Sequence, residues 1–407
     1  MTLAAAAGDV LDVLLATSAA YSVAVSLVAA GFPRRAARTA TTVSAAPGVS
    51  ILVPLAGAEP RLAANLAAYC RLEYPGPVQL VVGSLDASDP ALAVARDVRA
   101  AHPSAEVCIV EGAPDGGPNR KAVLLEALMR VARHSVVTAV DSDVRVAPDY
   151  LRRLVGVLQR RGVGLVTCYY RAPRGRTLAQ RFEALCINAD FTPAAMLATA
   201  LGRRDVAFGA TLMLRRETLA AIGGFAALAD YLADDHRLAE LVLEQGQRVV
   251  VAPYVVETDP NPDGVDAAVR HQLRWARTTR ACAPVGYAAN IVTHGTTFAL
   301  ASVLPVLHAS ASAMVAAGGV VVLRLVAALL GGRAIEARLG WTLCLVPLRD
   351  LVATALWLVS FAGDCVEWRG RVYRIARDGR LVELEGVGGD VVSAPAAEPV
   401  GHLPARS

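Results

Sequence analysis

The chain has 407 residues, 55% of them hydrophobic, with aromatics at 5%, seven cysteines and a formal net charge of +4. So modest a charge with so few rings excludes a nucleic-acid binder built on a basic, aromatic-studded stripe. A mean hydropathy of +0.44 points to a chain partly in lipid, and the odd, scattered cysteines lack the C-x-x-C spacing of a zinc or redox site, reading instead as small core residues in a reducing compartment.

The first element is an uncharged run of 20 residues at 13–32, about what a helix needs to cross a hydrocarbon core of roughly 30 Å. Asp9 and Asp12 precede it and Arg34, Arg35 and Arg38 follow it, so it reads as an anchor over residues 1–33 with its C-terminal flank in the cytoplasm rather than a signal peptide. Residues 34–280 then have ordinary soluble composition. Brief Val- and Ile-rich runs at 49–54, 78–83, 106–110 and 136–140 lack alternation, as expected of parallel strands buried on both faces. Helical spacing between them, at 60–72, 90–101 and 119–133, predicts a doubly wound α/β sheet that receives ligands at the carboxyl ends of its strands.

Further along, the sequence predicts a helix over 178–201, placed either in the core or at the bilayer surface. It also predicts a strand at 206–214, a helix at 231–245, a strand near 249–251 and an amphipathic helix at 265–280. Residues 281–364 are again hydrophobic. The uncharged stretch 281–323 is long enough for two passes, or for one pass and an interfacial segment. Residues 339–362 carry Arg349 and Asp350, and are either a span with a paired charge or a surface helix. From 365 the chain becomes a basic hairpin, and the Gly/Ala/Pro-rich tail from 387 is expected to be disordered.

Five groups of residues carry chemistry. Asp141-Ser142-Asp143 directly follows the fourth strand, where two carboxylates can hold a hard divalent cation that grips a diphosphate, or can simply cap a turn. Asp89 follows the second strand and either accepts hydrogen bonds from a base or ribose or caps the helix opening at Pro90. Asn119 and Lys121 open a helix after a Gly/Pro loop, a place that favours phosphate oxygens. Of the 40 basic residues Lys121 is the sole lysine, which suits a position requiring a compact ammonium. Asp234-Asp235 start another helix, with Asp235 the candidate general base against a reading of plain helix-terminal charge. His271-Gln272-Leu273-Arg274-Trp275 sets a cation that can fork onto a diphosphate beside an indole that can wall an acceptor channel; alone, such a pair is as easily an interfacial anchor.

In this order and spacing the motifs resemble the ceramide glucosyltransferase type of inverting glycosyltransferase, with its D, D-x-D-like, (E/D)D and (Q/R)-x-x-R-W signature, over about residues 48–290. Within that type the chain looks most like the bacterial hopanoid-biosynthesis enzymes that add N-acetylglucosamine to bacteriohopanetetrol. The finer likeness lies in the stretches at 162–171, 208–235, 271–288 and 367–375. The resemblance implies a GT-A (Rossmann-like) domain flanked by transmembrane helices, a UDP-sugar donor, Mg2+ or Mn2+ on Asp141 and Asp143, and a membrane-lipid acceptor, hopanoid or ceramide. It implies Asp89, Asn119, Lys121 and Gly209 at the donor, Asp235 as base, and His271, Arg274 and Trp275 near the diphosphate and acceptor. It further implies a multi-pass protein of the bacterial inner membrane with the catalytic domain inside. Two departures are plain: His271 replaces the signature's Gln or Arg, and Ala56 stands where relatives often carry Lys. Three or four spans are too few for the export channel of a processive polysaccharide synthase, and the intact set of acids speaks against an inactive scaffold.

Overall fold

The computed structural model describes residues 3–38, 46–112, 116–260, 264–304, 311–368, 371–376 and 378–384. Helix α1 (Leu3–Arg38) is followed by β1 (Val49–Pro54), α2 (Leu62–Tyr69), β2 (Val78–Ser84), α3 (Pro90–Ala101), β3 (Glu106–Glu111), α4 (Arg120–Val131) and β4 (Val136–Val140). The four strands run parallel in the order β3-β2-β1-β4. Every residue of β1 and β4 is buried, which is why those runs carry no alternation.

The second half of the sheet is mixed. It comprises β5 (Val144–Arg145), β6 (Val163–Arg171), β7 (Thr211–Arg215) and β8 (Arg248–Thr258), joined through α5 (Tyr150–Leu158) and α9, below. Strand β7 lies antiparallel to both β4 and β6, and β6 runs parallel to β8 across two register irregularities. The expected uniform winding therefore stops at β4. Strand β8 extends from Arg248 to Thr258, well beyond the short run at 249–251, because β6 and the two-residue β5 both pair with it.

The segment expected as one helix over 178–201 is interrupted. Helix α6 (Leu178–Cys186), opened by a Thr177–Gln180 capping box, gives way to a π-turn at Ile187–Phe191 and then to α7 (Thr192–Ala200). It is core along part of its length and exposed surface along the rest. Leu185 and Ala189 pack with Ala328, Leu339 and Val346, and Leu197 packs with Val25 and Ala327, whereas Leu178 is 62% exposed.

After α8 (Arg216–Ala221), α9 (Asp234–Glu244) and α10 (Val265–Cys282), the chain enters its apolar third through α11 (Pro284–Ala289), a 3-10 turn, α12 (Gly295–Ser302), α13 (Ala311–Ala334) and α14 (Val346–Ser360). Among the described residues three helical stretches are long and apolar enough to cross a membrane: Gly8–Ala37, Ala311–Ala334 and Gly340–Ser360. The run 281–323 thus holds short helices and the start of one such stretch. Arg349 and Asp350, anticipated as a pair inside a span or charges on a surface helix, are both buried. The basic segment after 364 is three-stranded rather than a hairpin, with β9 (Cys365–Trp368), β10 (Arg371–Ile375) and β11 (Leu381–Glu383) antiparallel in the order β11-β10-β9. The tail from 387 lies outside the described residues.

Candidate active site

The site is assembled at the carboxyl ends of β1, β2 and β4 and the start of β7. Asp141 directly follows β4, and the first turn of α4 carries Lys121, whose Nζ lies 2.7 Å from Asp141 Oδ1 and 3.5 Å from Asp234 Oδ2. Burial pulls the pKa of the ammonium down, but the charges of Asp141, Asp234 and Asp235 outweigh it, so Lys121 stays charged. Gly209 donates its backbone N–H to Asp235 Oδ2 at 2.9 Å, and His236 N–H reaches the other oxygen at 2.7 Å. A Cβ on Gly209 would sit 3.3 Å from Lys121 Nζ, 3.6 Å from Asp235 and 3.8 Å from Asp141. Glycine there keeps the space between Asp235 and Lys121 open.

The second carboxylate of the D-x-D pair behaves differently. Asp143 accepts from Thr258 Oγ1 at 2.7 Å. Desolvation, then the neighbouring charge of Asp141, pushes its pKa up to about 7 against the help of Thr258, with Glu59 and Asp259 adding to the rise. Among the described residues no group of three or more His, Cys, Asp or Glu is arranged to hold a metal ion by itself. What the donor set offers is an excess of negative charge around Asp141 and Asp143. That suits a magnesium-type ion, which takes one or two carboxylates and completes its shell with phosphate oxygens and water. Asp235 is likewise raised, to about 6, by desolvation and then by Asp234, against the opposing charge of Lys121.

Asn119, expected at the donor, has its polar atoms engaged within the protein. Its side chain is fully buried, its Oδ1 accepts from Ala122 N–H at 3.0 Å as the cap of α4, and its Nδ2 donates to the Tyr231 carbonyl at 2.7 Å. Its role is to tie the helix that carries Lys121 to the loop that leads to Asp234 and Asp235. Asp89 caps α3 through Ala91 N–H at 2.9 Å while accepting from Ser84 Oγ at 2.8 Å and from Gly57 N–H at both oxygens. A carboxylate has about four lone-pair sites, and protein donors take them, so Asp89 shapes the Pro54–Gly57 border of the cleft.

On α10, Trp275 meets His271 edge-on with ring centroids 4.7 Å apart and packs at a tilt against Phe191 at 5.9 Å. His271 Nδ1 meets Glu183 Oε1 at 2.8 Å, and Glu183 is only 3% exposed. Arg274 is half-buried on the same helix, α10. Tyr170 bridges the two halves: it packs on Phe191 and Phe208, and burial, then the charges of Asp235, Asp143, Asp141 and Glu183, push its phenol well up. The sequence reading missed Glu183, Tyr170, Phe191 and Phe208. Only Asp234 was visible there, as the neighbour of Asp235.

The three-stranded sheet braces this site from outside. Leu381 N–H donates to Asp230 O at 2.7 Å, and the guanidinium groups of Arg237 and Arg380 lie over the Tyr231 ring, 5.4 and 5.7 Å from its centre. Arg277 and Arg280 of α10 donate to the carbonyls of Cys365 and Gly363. The loop before Asp234 and the helix of Trp275 are therefore held by one small sheet.

The sequence profile of glycosyl transferase family 21 matches residues 11–381. Among curated relatives, an N-acetylglucosaminyltransferase of Sinorhizobium fredii is 28% identical over 65% of this chain and 65% of its own length. Ceramide glucosyltransferase 1 of Caenorhabditis elegans is 24% identical over 51% of this chain and 44% of its own. The chain thus spans about half to two thirds of the relatives it matches. Among solved structures, the mannosyltransferase PcManGT from Pyrobaculum calidifontis, in complex with GDP-Man and Mn2+, superposes with a TM-score of 0.51 at 20% identity. That match covers 86% of this chain and 99% of the other, a likeness of fold.

Proposed function

The chain belongs to glycosyl transferase family 21, and from that premise and the site geometry we propose that it transfers a sugar, with inversion, from a UDP-sugar to a hydroxyl group of a membrane lipid. The observation that carries the reading is Asp235, whose two oxygens are fixed by the N–H groups of Gly209 and His236 beside the Lys121–Asp141 pair. In the reaction the acceptor oxygen bonds to the anomeric carbon as the bond from that carbon to the diphosphate oxygen breaks. Asp235 takes the hydroxyl proton. A base with a pKa of about 6 is ionised at neutral pH yet basic enough to accept it. Lys121 and Arg274 face the charge that gathers on the departing diphosphate. Asp141 and Asp143 would hold Mg2+ or Mn2+, which supplies further charge neutralisation at the phosphates when bound.

Packing gives the reading its membrane side. Leu11 and Leu15 pack with Ala317 and Val320, Val25 with Ala327, and Ala29 and Phe32 fall in the same cluster as Ala334, so α1 and α13 run parallel and both descend to the catalytic domain. The chain between them climbs back through α11 and α12, whose Phe298 and Ala299 sit level with Leu11. Helix α14 is about 22 Å long, and both its ends return to the catalytic side. Arg171 donates to Ile335 O at the turn that leads to it, Tyr287 reaches its last residue, Ser360, and Arg280 reaches Gly363 just after it. We read α14 as an interfacial helix. With that reading the basic strands β9 to β11 share the cytoplasmic side with Arg34, Arg35 and Arg38, the arrangement that the positive-inside rule favours.

For the finer identity we favour N-acetylglucosamine as the sugar and bacteriohopanetetrol as the acceptor, in the bacterial inner membrane. The four matching stretches at 162–171, 208–235, 271–288 and 367–375 support this, and the sugar agrees with the name of the Sinorhizobium relative. Ceramide is the second reading, supported by the Caenorhabditis relative. The test incubates detergent-purified protein with Mg2+ or Mn2+, each lipid in turn and a panel of UDP-sugars, following product by mass spectrometry. An N-acetylhexosamine on the hopanoid alone supports the first reading, a hexose on ceramide transfers it to the second, and no product from any pair refutes sugar transfer to these lipids.

A further inference from the structure

We infer that a notch between the start of α6 and the turn joining α13 to α14 binds the phosphate of an anionic phospholipid. Arg174, Arg181 and Arg338 line it, and no carboxylate does. Among the described residues none of the three has an ion-pair partner. The nearby Glu336 carboxylate, 3.2 Å from Arg171, belongs to another arginine. The neutral polar groups of the wall are already spent. Asn188 exchanges two hydrogen bonds with the Ala172 backbone, at 2.9 and 2.7 Å, and Thr342 Oγ1 donates to Leu339 O at 2.6 Å. What the notch has left to offer is guanidinium N–H groups.

Three like charges gathered at one notch repel unless an anion lies among them, and a guanidinium fork matches phosphate oxygens in pairs. Arg181 is held ready for this. Its Nε donates to Gly175 O at 3.0 Å and its guanidinium carbon lies 5.7 Å from the centre of the Trp341 ring, while Arg174 and Arg338 are exposed and free to swing in. The interior holds about 20 Å³, room for roughly one water. The headgroup therefore sits across the mouth, gripped by the exposed arginines.

A lipid is the source of that phosphate because the rim is apolar and lies where helices meet the bilayer. Leu178 and Trp341 are 62% and 45% exposed beside the notch, and the turn connects two of the stretches long and apolar enough to span a membrane. Tryptophan and arginine at such a turn belong at headgroup level, where anionic lipids concentrate on the cytoplasmic face. The site uses none of the residues assigned to sugar transfer, and its test does not read that activity.

The test compares full-length wild type with the double variant Arg174→Gln/Arg338→Gln, in nanodiscs of phosphatidylcholine containing phosphatidylglycerol. Lipids retained after release into detergent are identified by native mass spectrometry. Wild type is expected to retain phosphatidylglycerol over phosphatidylcholine, and the double variant to lose about fivefold of that preference for each arginine removed. Both arginines are exposed, so thermal unfolding in pure phosphatidylcholine should match wild type. A control, Arg152→Gln/Arg160→Gln, removes two exposed arginines elsewhere and should keep the preference. Equal retention in wild type and the notch variant, or equal loss in the control, overturns the proposal. So does displacement of the lipid by inorganic phosphate at millimolar concentration, which would make the site one for a soluble anion.

Discussion

Arg324 of α13 reaches Asp350 of α14 at 3.1 Å, and both side chains are almost wholly buried, 2% and 0% exposed. The same guanidinium lies 3.5 Å from Asp190 in the π-turn, and Arg349 pairs with both Asp190 and Asp350. Thr296 adds a hydroxyl donor to Asp350 at 2.9 Å. Two cations and two anions cancel, so the cluster bolts an apolar helix pair onto the segment whose next residue, Phe191, touches Tyr170, Phe208 and Trp275.

Removing one member should cost more than removing the set. Arg324→Leu leaves two buried carboxylates with one arginine, a loss of about 3–5 kcal/mol, whereas replacing a whole buried ion-pair network by apolar residues of similar volume is often near neutral. We expect the single variant to lower the apparent melting temperature in detergent and the quadruple variant, with Asp190, Arg349 and Asp350 also made apolar, to recover most of it. A quadruple variant less stable than the single would show that these charges act through more than mutual compensation.

Lys121 should tolerate neither shortening nor broadening. Lys121→Met leaves Asp141 and Asp234 facing each other without a cation, and Lys121→Arg brings a wider head into a space already 3.3 Å from the Cβ position of Gly209. Both should lower kcat by about 100- to 1,000-fold, the scale for losing a preorganised charge at a developing anion. Gly209→Ala should impair activity with unchanged thermal stability, because its φ is not in the left-handed region and only space is lost. Isothermal titration with UDP alongside steady-state rates separates donor binding from turnover.

These relationships differ in how far the sequence revealed them. Strands β1, β2 and β4 are short Val- and Ile-rich runs closed by Gly, Pro or Asp, and a strand buried on both faces leaves that mark locally, while β3 carries a similar run at the half-buried edge of the sheet. Strand β7 was legible as a run at 206–214, but its antiparallel direction was not, and the two-residue β5 leaves no mark, since direction and register are fixed by partners far along the chain. Asp141, Lys121 and Asp235 stood out because each sits at an element boundary. Glu183 did not: it is a single acid on an amphipathic helix, 88 residues from the His271 it meets. Arg349-Asp350 announced in an apolar run that a partner was needed, but nothing local pointed to Asp190 or Arg324. Asp89 was legible as a cap residue and Asn119 only as the opening of a helix that favours phosphate, and in the fold capping and tying accounts for their polar atoms.

The pH dependence should separate the carboxylates from the rest of the protein. Asp143 and Asp235 have pKa values pushed up to about 7 and about 6, above the ordinary 3.8. Raised carboxyl groups stabilise the fold below their unfolded pKa and lose that contribution as pH rises through the folded values. Metal-free protein should therefore lose stability between about pH 4 and about pH 7. Mn2+ should restore the melting temperature at the upper end and do little at the lower, where the carboxyls are protonated. Activity should run the opposite way, rising over the same range as base and metal ligands ionise. A melting temperature that responds to Mn2+ equally at both ends would place the ion elsewhere.

Asp235→Asn isolates the proton transfer. The amide is nearly the same shape and its oxygen can still accept from Gly209 N–H, so the loop, Lys121 and the donor cleft should keep their places. It cannot take a proton, and loss of a positioned general base lowers rate by about 100- to 10,000-fold. Asp234→Asn offers the contrast. Asp234 lies 3.5 Å from Lys121 and is buried, so its loss weakens the hold on the ammonium and should show in donor affinity more than in turnover. The expected pattern is a fall in kcat with unchanged UDP affinity for Asp235→Asn, and a fall in UDP affinity for Asp234→Asn. The reverse pattern would exchange the two roles, because the two carboxylates differ only in which atom they face: one is aimed by backbone donors, the other by the only lysine in the chain.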